Sequence, residues 1–207
     1  MASPRRVGAE TSKTRDHLLN CVERLMLRDG YAAVTYRAVA AAAGVTSGLV
    51  QYYFPAIDDL FLAAVRRRSE ENLERLRAAL RDRPEQPLRV LWEYSQEEST
   101  ATLTTEFLAL SNHRKSIKGV IAEFTEEVRQ LQLDAVRTSH KKPTGAKLDE
   151  LPADVLLFVI TGIPKLLRLE AAVGVSSTHD DVLHAFEQYL DRVEPPTTSA
   201  SRGPKTR

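Results

Sequence analysis

The stretch from Thr35 to Phe54, TYRAVAAAAGVTSGLVQYYF, constrains this chain more than any other. It holds two short helical patterns. The first, Tyr36 to Ala43, opens behind Thr35, whose side-chain oxygen can accept an early N–H that the helix itself leaves without a partner. Gly44 follows, and glycine takes the left-handed conformation of a sharp turn at little cost. Val45 is an apolar plug, Thr46 or Ser47 a second cap, and the next helix is expected from about Ser47 to Tyr53. Pro55 ends it, because the residue before a proline disfavours helical geometry. Two helices joined by such a turn have the form of a helix-turn-helix, whose second helix can enter the major groove of DNA.

The flanking residues fit the same reading. A preceding helix is expected to begin near Thr11 or Ser12, with Leu18, Cys21, Val22, Leu25 and Met26 on one face at spacings of three and four. Gly30 is its expected C-terminal stop, and Tyr31 and Val34 should pack beneath the next element. In the helix after Thr35, the small residues Val39, Ala42 and Ala43 would let a crossing helix approach closely. Leu49, Val50 and Tyr53 are spaced to face inward, though Leu49 can equally point out.

Composition narrows the class. Of 207 residues, 43% are hydrophobic and 28% charged, the balance of a globular chain that can bury a sizeable core. Cys21 is the single cysteine, which excludes an internal disulfide framework and suits a reducing compartment; its place in the apolar stripe reads as core rather than reactive thiol. No run approaches the roughly 18 apolar residues of a membrane helix, and the first ten residues lack the apolar core of a secretory signal, so a cytoplasmic location is expected and no membrane partner. With +1 overall, +3 in residues 1–54 and +3 from Pro195 onward, the segment between carries −5. A basic head on an acidic body suits a protein that sets its head against phosphate. His17, His113, His140, His179 and His184 are scattered, and there is no HExxH, nucleophile elbow, P-loop or GxGxxG. No catalytic site, metal site or cofactor is expected.

The run VTSGLVQYYFPAIDDL, Val45 to Leu60, resembles the recognition helix and following corner of the TetR family of bacterial transcriptional regulators, whose pattern is close to V-S-x-G-x-[LV]-Y-x-[YH]-F-x-[SN]-K-[ED]-x-L. The upstream DGYAAVTYRAVAAAAGV resembles the same family's first two helices, so the likeness covers about the first 60 residues. Gln51 stands where a tyrosine is common. Ile57 stands where a lysine is common, which removes one expected phosphate contact.

Helical patterning continues to Val193 with no internal repeat and no strand pattern. A fourth helix is expected over Asp58 to Arg81, with Leu60, Phe61, Ala64, Val65, Leu73, Leu76 and Leu80 on its apolar side. Its run Arg66, Arg67, Arg68 can meet phosphate, but surface pairing with Glu70, Glu71 and Glu74 fits better. Further helices are expected over Leu88 to Glu98, Thr102 to Asn112, Ile117 to Thr138, Pro152 to about Val173, and from Asp180 or Asp181 to Val193. Pro164 predicts a kink near Ile160 to Pro164.

The expectation is an all-α protein of about nine helices. Residues 1–10 form a flexible basic arm and residues 11–57 the three-helix, helix-turn-helix DNA-binding domain. Residues 58–194 form a helical ligand-binding and dimerisation domain, and residues 195–207 a disordered basic tail. Ser47, Gly48, Leu49, Gln51 and Tyr52 are the candidate base readers: Gln51 can bond adenine bidentately and Leu49 can meet a thymine methyl. Thr35, Tyr36, Arg37, Thr46, Tyr53 and Lys13 are candidates for the DNA backbone; Arg37 can also reach guanine, and Tyr53 is equally a core candidate. The resemblance implies a homodimer built on the last two helices, with Phe158, Ile163, Leu166, Leu183, Phe186 and Leu190 at the interface. It also implies a small-molecule effector held among the fourth to eighth helices. Trp92, Phe107, Phe124 and Phe158 are its candidate walls, and the aliphatic surroundings favour an apolar or amphipathic molecule. The function implied is a repressor that binds a palindromic double-stranded operator and is released by its ligand. The competing reading is a helical interaction protein or ligand sensor of the same fold without ligand-controlled operator binding.

Overall fold

The computed structural model describes residues 13–139 and 151–195, and all the regular structure among them is helical. The elements are α1 (Lys13–Asp29), a 3-10 turn (Tyr31–Ala33), α2 (Tyr36–Ala43), α3 (Ser47–Tyr53), α4 (Ile57–Asp82), α5 (Pro87–Gln96), α6 (Glu98–His113), α7 (Lys115–Ser139), α8 (Ala153–Ala172) and α9 (His179–Val193). They agree with the expected helices to within a few residues. The expected caps Thr11 and Ser12, the basic arm and the tail beyond Pro195 lie outside the described residues.

The chain divides into two compact units. The first comprises Met1–Arg77 and Glu97–Gln130, the second Ala78–Gln96 and Leu131–Arg207. The expected division after residue 57 is therefore not where the units part: most of α4, all of α6 and most of α7 belong with the N-terminal helices. The reason is packing. Leu60, Phe61, Ala64 and Val65 of α4, Leu103, Phe107 and Leu110 of α6 and Ile117 of α7 join Leu18, Leu19, Cys21, Val22, Leu25 and Met26 of α1 in one buried cluster with Val39, Val50 and Phe54. Truncating one of these leucines to alanine removes its transfer energy and leaves a void, a cost of about 2–5 kcal/mol.

Within this unit the local rules act as the sequence suggests. Gly30 has φ +79° and Gly44 φ +67°, left-handed values at the two corners that frame α2. The small face of α2 is turned from the expected one: Val39 and Ala40 are buried, Ala43 packs against the core and Ala42 is exposed. Arg67 ion-pairs with Glu23 at 2.6 Å and donates to the Asp16 carbonyl at 3.1 Å, and Arg68 lies 3.9 Å from Glu71. Ion pairing, rather than a free basic patch, describes Arg67 and Arg68, but the short Arg67–Glu23 pair is mostly buried and ties α4 to α1, and the expected partner that lies near them is Glu71, at 3.7 and 3.9 Å.

In the second unit, the start of α5 is held by the end of α9. Glu194 accepts the N–H of Leu88 at 3.0 Å and of Arg89 at 2.8 Å, satisfying two of the first-turn donors of α5. Arg89 in turn pairs with Asp191 at 2.7 Å. Pro152 is the N-cap of α8 rather than its first residue, and Pro164 is accommodated within the helix, which runs unbroken to Ala172. Gly174 (φ +84°) ends the α8 segment, and Thr178 (φ +72°) begins α9.

Candidate nucleic-acid interface

The interface is built from α2 and α3. Thr35 Oγ1 accepts the Ala38 N–H at 3.1 Å and Thr46 Oγ1 accepts the Leu49 N–H at 3.3 Å, so each helix starts on a threonine cap. Both threonines are exposed. A capping hydroxyl uses a lone pair and keeps its proton, so each can still donate to a phosphate oxygen. Between the helices, the Val45 N–H bonds back to the Ala40 carbonyl at 3.0 Å across the left-handed Gly44, fixing the turn.

Lys13, Thr35, Arg37, Thr46, Gly48, Gln51 and Tyr52 are exposed, Tyr52 by 53%. Ser47 and Leu49 are half-buried on the same two-turn helix. A Cβ at Gly48 would meet nothing nearer than Thr46 Oγ1 at 3.9 Å, so the outer surface of α3 is open there. No aspartate or glutamate occurs between Asp29 and Asp58, which leaves this surface free of acidic side chains from its own segment. Such a surface can approach a phosphate backbone without like-charge repulsion.

Two expected contacts take other roles. The Tyr36 hydroxyl donates toward the carbonyl oxygens of Phe54 at 2.9 Å and Pro55 at 3.1 Å. Its one proton is spent inside the domain, tying the start of α2 to the end of α3, so Tyr36 is a brace rather than a phosphate donor. Burial, and then the charges of Asp59 and Asp58, push its pKa up. Tyr53 packs against the core, with the Tyr52 ring edge-on at 5.4 Å. Sequence reading missed two supports. The Arg15 guanidinium stands 5.2 Å over the Phe54 ring, and His17 Nε2 is 3.3 Å from the Ala43 carbonyl at the end of α2. Neither belongs to a local motif; only the three-dimensional approach of α1 reveals them.

The corner after α3 is fastened from within the same unit. Asp58 accepts hydrogen bonds from Arg114, and from the Ser116 hydroxyl at 2.6 Å. These donors hold its carboxyl below the usual range, the Ser116 bond contributing most against the opposing effect of burial.

The remaining candidates fall in both units. Phe107 is buried in the core of the first, and Phe124 is half-buried there. Trp92 belongs to the second, 2% exposed and stacked on Phe186 at 4.7 Å. Phe158 is 59% exposed within its own chain, which removes it as a wall of an enclosed site and leaves it to the proposed interface. Leu166 is exposed, and Ile163, Leu183 and Phe186 are half-buried. Leu190 is fully buried within its own unit, so it serves the core and not a partner surface.

Residues 19–64 match the family model described as "Bacterial regulatory proteins, tetR family". The chain is 29% identical over 160 residues to the HTH-type transcriptional regulator AcrR of Shigella flexneri, covering 73% of each chain. It is 27% identical over 157 residues to the HTH-type transcriptional repressor BepR of Brucella suis biovar 1, covering 75% of this chain and 67% of that one. In fold it is similar to a transcriptional regulator from Saccharomonospora viridis, with a TM-score of 0.72, 20% identity, and 86% and 95% of the two chains covered. The segment that matches, residues 19–64, holds α2, α3 and parts of α1 and α4, and it is similar to the DNA-binding domain of TetR-family regulators. The chain is a DNA-binding transcriptional regulator, not an enzyme. Among the described residues no helix is long and apolar enough to cross a membrane.

Proposed function

We propose that this protein is a cytoplasmic repressor that binds a palindromic operator as a homodimer and is released by a small apolar or amphipathic molecule. The observation that carries the DNA side is the exposed, acid-free surface of α2 and α3, with both helix starts capped and Gln51 and Tyr52 outward. Residues 11–57 supply the reading head, and the pairing surface and the sensing site fall within residues 58–194, part of which packs with the head in one compact unit.

Pairing is supported by a stripe on α8. Val155, Phe158, Leu166, Leu169 and Val173 are 42%, 59%, 55%, 52% and 78% exposed. Their spacings of three, eight, three and four keep them on one side of the helix. A contiguous apolar patch of this kind marks an association surface on a water-soluble chain. A two-fold pair presents two copies of α3, which suits half-sites one helical turn, about 34–36 Å, apart or a multiple of it.

Release then needs only a differential. A ligand that binds better to the dimer whose heads do not match the groove spacing weakens operator affinity by its preference between the two states, typically about 1–3 kcal/mol. Selection of bound duplexes from a random pool should return an inverted repeat. A panel of small apolar and amphipathic molecules should contain at least one that raises the Kd for that repeat. An asymmetric consensus would count against the dimeric reader, and an operator complex indifferent to every compound would favour the fold without ligand control.

A further inference from the structure

The start of α1 meets both helices of the reading head. His17 Nε2 lies 3.3 Å from the Ala43 carbonyl at the end of α2, and the Arg15 guanidinium stands 5.2 Å over the ring of Phe54, the residue that closes α3. These residues belong to one compact unit. Phe54 is 1% exposed whereas Arg15 is half-buried, so the cation lies on the outer side of a ring that the core holds.

This placement prepares Arg15 for an anion. A long cation in open solvent must give up rotamer freedom to meet a phosphate. One held against a ring has given up part of it already, and the attraction of the ring for the charge leaves the guanidinium N–H groups able to donate. The surroundings suit the same role. Pro55 and Ala56 are exposed just beyond Phe54, and no acid occurs between Asp29 and Asp58. The two acids that follow are engaged, Asp58 by Arg114 and Ser116, and Asp59 by the Ala56 N–H at 2.9 Å. Asp16, next to Arg15 in sequence, projects about 100° away around the helix. Lys13, exposed two residues earlier, adds a second cation to the same end of α1. Ile57 is half-buried and packs against the core. Arg15 therefore brings from α1 the cation that position 57 does not supply.

We infer that Arg15 is a phosphate-contacting residue of the operator complex, donating to the DNA backbone from beside the end of α3. Such a contact carries charge and position but no base sequence. The inference rests on the proposed operator reading of α2 and α3 and adds to it a residue of α1.

The full-length protein and its variants are titrated with the duplex that the wild-type chain selects, and with single-base variants of it, at about 50 and about 200 mM salt. Arg15→Gln should weaken binding to every duplex by a similar factor, and the slope of log K against log salt should fall by about one for each head. A phosphate contact scales with roughly the 0.9 power of salt, so the deficit should shrink about threefold per head between the two concentrations. Arg15→Lys keeps the charge and loses the planar fork; it should keep the slope and lose part of the affinity. Arg15→Met covers the Phe54 ring without a charge and should match Arg15→Gln in slope. It decides the matter where far-UV circular dichroism finds the glutamine variant unfolded. A wild-type slope in Arg15→Met, or a loss confined to particular base pairs, overturns the assignment and leaves Arg15 as a cover for Phe54. The operator reading is scored separately. Selection of an asymmetric site, or an unaltered preference in Gln51→Ala, counts against that reading, while a lowered slope in the Arg15 variants on the same duplex still supports this contact. A wild-type chain that retains no duplex refutes both.

Discussion

The backbone N–H of Tyr31 donates to Glu106 Oε2 at 2.7 Å, joining two residues 75 positions apart in the chain. The same carboxylate oxygen lies 3.4 Å from where a Cβ on Gly30 would stand, and the Tyr31 ring stacks on His113 at 5.8 Å. The corner between α1 and α2 is therefore held by α6. Glycine at position 30 serves the left-handed backbone, φ +79°, since a Cβ there would meet the carboxylate only at ordinary contact distance. Glu106→Ala should cost about 1–3 kcal/mol in urea unfolding, because it strands a part-buried amide donor, whereas Glu106→Gln keeps an acceptor and should recover most of the loss. Equal destabilisation by the two variants would show that the amide bond is not what Glu106 contributes.

Asp58 makes the corner after α3 sensitive to acid. Its folded pKa is depressed by the Ser116 hydrogen bond and then by Arg114. A carboxylate of this kind contributes stability that is fully present above its unfolded value, about 3.9, and is lost as pH falls through that value toward the lower folded one. Asp58 and Arg114 side chains are 35% and 34% exposed, so solvent screening keeps the effect small. Asp58→Asn should flatten the acid limb of the stability–pH curve below about pH 4. An unchanged limb would place the acid sensitivity elsewhere.

How far the sequence could be read follows from the range of the forces involved. Thr35, Gly44, Thr46 and Pro55 act within a few residues, and their structural roles are those expected from the string alone. The buried face of α2 is less legible, because YRAVAAAA has alanines on several sides, and an alanine fits a covered face or an open one equally well. Tyr36 looked like a phosphate donor, yet its hydroxyl is used by a carbonyl 18 residues on. Leu190 and Phe186 are one turn apart on α9 and look equivalent; only the packing of α9 in its unit buries one fully and stacks the other on Trp92. Glu194 reads as the start of a polar tail and instead caps α5 from 106 residues away.

Gly44→Val separates strain from clash. A Cβ at this position would meet no atom within 4 Å, so the penalty is the left-handed φ of +67° alone. For a β-branched residue that should amount to roughly 1–2 kcal/mol, and the relaxed turn should tilt α3 and reduce operator affinity. Gly44→Asn, which tolerates this region, should retain most of both. Wild-type stability in the valine variant would mean that the turn is freer than its geometry implies.

The α8 stripe makes a quantitative statement about assembly. Leu166→Glu with Leu169→Glu changes two side chains that are 55% and 52% exposed in the single chain, so folding should be little affected. In the proposed dimer the same change buries like charges on both copies, a heavy cost at an apolar interface. Sedimentation at micromolar concentration should show the wild-type chain as a dimer and the double variant as a monomer with unchanged circular dichroism. A wild-type monomer would remove the basis for a palindromic operator, since one head alone reads only a few base pairs.

Gln51 carries the sharpest prediction for specificity. It is exposed on α3, it stands where relatives of this pattern commonly have tyrosine, and the neighbouring Tyr52 is also outward. A glutamine amide offers a donor and an acceptor together, the pair that matches adenine N7 and N6 in the major groove. Gln51→Ala should therefore relax discrimination at one base pair in each half-site by about 1–3 kcal/mol while leaving the salt dependence of binding unchanged, because no phosphate contact is lost. Arg37→Ala should do the opposite if its role is backbone contact: affinity falls across all operator variants and the slope of log K against log salt drops by about one. Binding of both variants to a panel of single-base operator substitutions, at two salt concentrations, distinguishes base reading from charge. A Gln51→Ala protein with an unaltered preference profile would move the specificity of this regulator away from α3.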